Sequence, residues 1–125
     1  MRAGIDAQPV ADVLAALAAN GDRYRRRIYT EQEVASCGGW GSETLAAAEG
    51  LAARFAAKEA VLKVLRVTDV VPPYTDIEVV REDGGWTSLR LTGVARQLAD
   101  AAGLTGFEVS LSHTSETGIA IVIAQ

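Results

Sequence analysis

The stretch Glu43-Thr44-Leu45-Ala46-Ala47-Ala48-Glu49-Gly50-Leu51-Ala52-Ala53-Arg54-Phe55-Ala56-Ala57-Lys58-Glu59-Ala60-Val61-Leu62-Lys63-Val64-Leu65-Arg66 decides the fold. Alanine and leucine, the strongest helix formers, dominate it, and at about 1.5 Å of rise per residue it is long enough to cross a small domain. It predicts a central helix over Glu43 to about Arg66. On its N-terminal side, Cys37-Gly38-Gly39-Trp40-Gly41 has glycines too closely spaced for a helix and reads as a loop, with Ser42 as the next N-cap. On its C-terminal side, Val67–Asp76 contains Pro72-Pro73 and reads as a connection, because proline supplies no N–H to a helix interior or a central strand.

Working outward, Arg2–Ile5 reads as a first strand that delivers Asp6 to its end. Val10, Val13, Leu14 and Leu17 fall at i, i+3, i+4 and i+7, the spacing of an amphipathic helix, with Pro9 in its first turn and Asn20-Gly21 as its stop. Thr30-Glu31-Gln32-Glu33 has the Thr-x-x-Glu form of a capping box and predicts a short helix. Ile77–Arg81 and Trp86–Leu91 flank Glu82-Asp83-Gly84-Gly85, where Asp83-Gly84 is expected to supply the positive φ of a hairpin turn. A further amphipathic helix runs from Thr92/Gly93 to Ala102, stopped by Gly103. Phe107–Leu111 and Gly118–Ala124 are closing strands, the last apolar throughout Ile119–Ile123 and so expected at the centre of a sheet. The order is that of an α+β fold, an antiparallel sheet packed on a long central helix, and the hairpin excludes a fully parallel doubly wound sheet.

The chain has 125 residues, which predicts one domain, residues 1–125, with no room for a second core. Its 49% hydrophobic and 22% charged residues are those of a soluble globular protein and exclude disorder over most of the length. A chain this small that must also enclose a ligand can do so between subunits, so an oligomer is expected. One cysteine, Cys37, and one histidine, His113, exclude a disulfide framework and a Cys/His zinc site, and fit a reducing, cytoplasmic compartment. No apolar run approaches the roughly 18 residues of a membrane span, and Met1–Asp6 has no signal-peptide core. A net charge of −4 argues against bulk nucleic-acid binding. Arg23, Arg25, Arg26 and Arg27 nonetheless form a local basic cluster that suits an acidic partner, or alternatively a solvated helix end.

The commonest phosphate and redox signatures, a Walker loop, Gly-x-Gly-x-x-Gly after a strand and Cys-x-x-Cys, are absent. Ser112-His113 pairs a nucleophile with a base in sequence only, since neighbours on a strand point to opposite faces. Asp6, at the end of the first strand, and Glu59, deep in the central helix, are the candidate carboxylate pair. Two carboxylates suit Mg²⁺, which completes its octahedron with water and substrate phosphates. Lys63, on the Glu59 face of the helix, and Arg54, reaching in from the flank, would neutralise phosphate oxygens, and His113 would close the other side. Each residue also admits a plainer role: Asp6 as a turn aspartate, Glu59 and Lys63 as an i, i+4 ion pair, and His113 as a structural histidine.

Three separated stretches together resemble the holo-acyl-carrier-protein synthases, the small trimeric group of 4′-phosphopantetheinyl transferases. They are Gly4-Ile5-Asp6, the run Arg54-Phe55-Ala56-Ala57-Lys58-Glu59-Ala60-Val61-Leu62-Lys63, and Val109-Ser110-Leu111-Ser112-His113 with Ala120–Ala124 behind it. The resemblance implies transfer of the phosphopantetheine arm of coenzyme A to a serine of an acyl carrier protein of fatty-acid or polyketide synthesis, with release of 3′,5′-ADP. It implies Asp6 and Glu59 as Mg²⁺ ligands, Lys63 at the transferring phosphate, and Arg54 and His113 on the nucleotide phosphates with Ser110 and Ser112 beside them. It further implies a homotrimer with coenzyme A between subunits, and an acidic carrier docked on Arg23–Arg27. The first helix carries Asp12 near where the family has an arginine, and the Gly-Thr-Gly turn after the central helix is missing from Arg66-Val67-Thr68-Asp69. These departures point to a specialised member. The alternative is a catalytically silent subunit of the same fold that binds coenzyme A or carrier protein.

Overall fold

A computed structural model describes residues 1–125. The predicted central helix is present as α3 (Leu45–Leu65), entered after α1 (Val10–Ile28) and α2 (Glu31–Ser36) and followed by α4 (Gly93–Ala101). The strands are β1 (Arg2–Pro9), β2 (Ile77–Arg81), β3 (Thr87–Leu91), β4 (Phe107–His113) and β5 (Thr117–Ala124), and a single 3₁₀ turn, Tyr74–Asp76, precedes β2. All strand pairs are antiparallel, and the fold is α+β as expected. The strands divide into two sheets, a three-stranded one in the order β1-β5-β4 and the β2-β3 hairpin. The apolar last strand is the middle strand of the larger sheet, as its composition requires.

Helix α3 is buried almost all round, and its alanines Ala52, Ala53, Ala56, Ala57 and Ala60 are at most 1% exposed. These small side chains admit the chain's own sheet to close range. Two strand glycines complete the fit. A Cβ on Gly4 would lie 2.3 Å from the carbonyl oxygen of Ala60, and one on Gly118 would lie 2.4 Å from the Ala53 nitrogen. Neither position has room for a methyl group, so β1 and β5 lie directly on the helix backbone.

Several boundaries differ from the sequence reading for identifiable reasons. Helix α1 does not stop at Asn20-Gly21: Asn20 leaves helical geometry at φ −162° and ψ 79°, and the helix then resumes to Ile28. The Asn20 side chain accepts the Arg23 N–H at 3.3 Å, so the residue that breaks the first segment caps the second. Arg25 is buried there, donating to the Ser42 carbonyl at 2.6 Å, and it leaves the exposed basic cluster to Arg23, Arg26 and Arg27. The capping box at Thr30 and Glu33 forms with both reciprocal bonds. Thr44, not Ser42, caps α3 by accepting the Ala47 N–H. In the hairpin the positive φ falls at Gly85 (93°), not at Asp83-Gly84, because the turn closes through the Gly85 N–H to the Glu82 carbonyl at 2.9 Å. Helix α4 takes its cap from outside: Asp76 Oδ2 accepts the Val94 N–H at 2.8 Å. No helix is long and apolar enough to cross a membrane.

Candidate active site

The register of the larger sheet assigns every candidate on it to a face. Asp6 is paired with Ala120, and Ala120 with Leu111, in a row facing α3. Gln8, Gly118 and His113 form the next row on that face. Ile5, Ile121 and Ser110 form a row on the opposite, outward face, as do Ala7, Ile119 and Ser112. The alternation expected at Ser112-His113 is therefore present, and it separates Ser110 and Ser112 from His113 by the thickness of the sheet.

Where β1 crosses the C-terminal half of α3, Asp6 meets Lys63. Lys63 Nζ donates to the Ile5 carbonyl at 2.7 Å and to Asp6 Oδ1 at 3.2 Å, and Gln8 Nε2 donates to Asp6 Oδ2 at 2.7 Å. Lys63 is thus tied across 57 residues of sequence and not to Glu59 one turn away. Glu59 instead accepts a hydrogen bond from the Tyr74 hydroxyl at 2.6 Å. The Tyr74 phenol is pushed up to about 12 by burial, by its bond to Glu59 and by the charge of Glu59, with Asp6 adding to the rise and Arg27 opposing it. Glu59 and Lys63 stand one turn apart on the same face of α3, so the Asp6–Lys63 contact lies next to Glu59 along the helix.

Arg54 and His113 come together in a second place on the same helix. With Gly50, Arg81, Thr87 and Leu111 they line a cleft of about 240 Å³. His113 Nδ1 is 3.1 Å from Glu49 Oε2, a contact that fixes the ring. Arg54 is 7% exposed; its Nη1 donates to the Gly50 carbonyl at 3.2 Å, and its buried Nε has no partner. A buried donor without a protein partner leaves a hydrogen bond for water or for an anion to fill. Five residues of helix separate Arg54 from Glu59, about 7.5 Å along the axis, a distance suited to two phosphate groups of one ligand. Ser110 and Ser112 line a different recess, an apolar groove of about 190 Å³ on the outward face with Ile5, Ile119 and Ile121.

Gln8, Glu49, Tyr74 and Arg81 were not among the sequence candidates. Glu49 lies within the quoted helix, but its partner His113 is remote in sequence and is brought to it only by the fold. Tyr74 stands 15 residues from Glu59 and reaches it only through the fold.

An antiparallel sheet lies on a long helix, with a carboxylate pair and a lysine at one point of that helix and an arginine–histidine cleft at another. Comparison with known proteins identifies the family. A model of the 4′-phosphopantetheinyl transferase superfamily matches residues 2–120. The chain is 40% identical to a holo-[acyl-carrier-protein] synthase of Chloroflexus aurantiacus over 97% of this chain and 95% of the relative. It is 38% identical to one of Dehalococcoides mccartyi, over 98% and 96%. Among solved structures, the Helicobacter pylori holo-[acyl-carrier-protein] synthase in complex with coenzyme A superposes with a TM-score of 0.83 at 21% identity, covering 99% of this chain and 100% of that one. The Mycobacterium tuberculosis acyl carrier protein synthase superposes at 0.71 with 30% identity, covering 98% and 95%. The chain belongs to the 4′-phosphopantetheinyl transferase superfamily.

Proposed function

We propose that the chain transfers the 4′-phosphopantetheine group of coenzyme A to a serine of an acyl carrier protein, in a Mg²⁺-dependent reaction that releases 3′,5′-ADP. The observation that carries this reading is the meeting of Asp6 and Lys63, one helical turn from Glu59, at the crossing of β1 and α3. The donor set fits the metal: Asp6 and Glu59 supply hard carboxylate oxygens, and Mg²⁺ needs only one or two carboxylates beside substrate phosphates and water. Asp6 and Glu59 would hold the ion, which when bound supplies charge neutralisation at phosphate oxygens.

The remaining work is positioning. Lys63, half exposed and anchored on the Ile5 carbonyl, puts a positive charge at the pyrophosphate. Arg54 and His113 take a nucleotide phosphate in their cleft, with His113 oriented by Glu49. The carrier serine oxygen forms a bond to the pantetheine-bearing phosphorus as the bond from that phosphorus to the ADP oxygen breaks, and the serine proton passes to a carboxylate of the site.

Assembly as a homotrimer is part of this reading. Ile5, Ile119 and Ile121 are 56%, 38% and 42% exposed on the outward sheet face, an apolar patch suited to a second copy. Such packing would give Ser110 and Ser112 a route to coenzyme A that the single chain denies them. Arg23, Arg26 and Arg27 remain exposed for an acidic carrier, Asp12 in the first turn of α1 supports a specialised carrier preference, and the single unpaired cysteine suits a cytoplasmic setting.

Intact-mass spectrometry of apo carrier proteins incubated with the protein, coenzyme A and Mg²⁺ tests the reaction. A gain of about 340 Da, the group transferred, lost with chelator and in Glu59→Ala, is the expected result. Coenzyme A binding with no gain on any carrier would favour the silent subunit instead.

A further inference from the structure

Three residues of one stretch of α3 converge on a single residue outside it. Phe55 packs its ring edge-on against the Tyr74 ring, with centroids 5.3 Å apart and planes at 82°. Lys58 Nζ donates to the Tyr74 carbonyl oxygen at 3.0 Å. Glu59 Oε1 accepts the Tyr74 hydroxyl at 2.6 Å. Positions 55, 58 and 59 share one face of the helix by their i, i+3, i+4 spacing, so the run that carries Glu59 also grips the ring, backbone and hydroxyl of Tyr74. The grip is rigid because Lys58 is itself buried and paired with Glu33 at 2.8 Å, and because Pro72-Pro73 stiffen the approach to the 3₁₀ turn.

We infer that Tyr74 is a positioning residue for the Glu59 carboxylate, fixing its orientation through Oε1 for metal binding. A glutamate on a helix surface has freely rotating outer torsions, and a divalent ion bound by few protein ligands is sensitive to that freedom. Groups that hydrogen-bond to metal-ligating carboxylates typically contribute 10–100-fold to metal affinity. The inference rests on the assignment of Glu59 as a metal ligand in the proposed function.

The test is titration of Mn²⁺, which takes the same oxygen ligands, into the full chain with coenzyme A and without carrier protein, read by electron paramagnetic resonance. Y74F keeps the ring on Phe55 and the carbonyl under Lys58. It is expected to weaken Mn²⁺ binding by about 10-fold, with coenzyme A affinity in the presence of EDTA and the melting temperature close to wild type. Wild-type Mn²⁺ affinity in Y74F, alongside loss of binding in E59Q, would overturn the role of Tyr74 and leave the metal assignment standing. A parallel fall in coenzyme A affinity under EDTA would also overturn it, by making Tyr74 a general support of the site. Wild-type Mn²⁺ affinity in E59Q would remove the metal assignment itself, and this inference with it.

Discussion

Lys58 Nζ lies 2.8 Å from Glu33 Oε1, and neither side chain has any exposed surface. The pair joins α2 to α3. Lys58 also donates to the carbonyls of Tyr74 and Ile77, and Glu33 accepts the backbone N–H groups of Thr30 and Val79. Burial pushes the Lys58 ammonium below its ordinary value, and Glu33 pulls it back. Removing one partner leaves the other charged and unpaired in the interior, so Lys58→Ala is expected to destabilise the protein by about 3–5 kcal/mol. Urea unfolding measures it, and a change below about 1 kcal/mol would show that the pair carries little weight against the definition of a surface ion pair.

Gly4→Ala and Gly118→Ala place a methyl group 2.3 Å from the Ala60 oxygen and 2.4 Å from the Ala53 nitrogen. The obstacle in both is helix backbone, which cannot rotate away. Each substitution is expected to cost upwards of 1–3 kcal/mol, the usual range of about one overpacked group. Gly39→Ala, with open space around it but φ at 85°, is expected to cost only about 1 kcal/mol for its backbone conformation. Thermal unfolding of the three variants gives the ranking.

At the Arg54–His113 cleft, proposed to take a nucleotide phosphate, Arg54→Ala and His113→Ala are expected to weaken coenzyme A binding by about 10-fold or more each, from the loss of a charge-assisted bond to phosphate. Glu49→Gln, which loosens the His113 ring without removing it, should have a smaller effect in the same direction. Isothermal titration checks all three. Unchanged affinity in Arg54→Ala would place the nucleotide elsewhere.

Alkaline stability reports on the tyrosines. The Tyr24, Tyr29 and Tyr74 phenols are all raised above their ordinary value, each chiefly by burial. The fold holds these protons more tightly than the unfolded chain does. Their contribution is therefore complete below pH 10 and is lost as pH rises, for Tyr74 between pH 10.0 and about 12. Y74F should flatten that part of the stability–pH curve and leave the curve below pH 9 with its wild-type shape, as denaturant unfolding across the range will show.

Ile121→Asp puts a charge in the middle of the outward apolar face. Light scattering is expected to give about three times the 13.1 kDa chain mass for the wild type and the single-chain mass for the variant. A wild type that runs as a monomer would remove the trimer from the proposed function.

Elements with a strong local cause were legible before any coordinates: the alanine-rich α3, the Thr30–Glu33 capping box, the apolar β5 and the Asp6, Glu59, Lys63 candidates. These follow from side-chain propensity, periodicity and residue chemistry, which act over a few positions. The run around Arg54-Phe55 and Lys58-Glu59 carried the resemblance to the family because its residue types recur at fixed spacing. The extent of α1 was not legible, since Asn20-Gly21 reads as a stop; the Asn20 cap on the second segment and the packing of Arg25 over Gly21 and onto the Ser42 carbonyl show why the helix continues.

Chain chemistry thus set which groups were available, and packing set which of them meet. Lys63 bonds Asp6 rather than Glu59 because β1 lies on α3 at the contact that Gly4 permits. Glu59 bonds Tyr74 because the 3₁₀ turn is pulled onto the same helix face by Lys58. Such relationships span 15 to 57 residues, and no local preference reaches so far; they exist only once burial has forced helix and sheet into a single register.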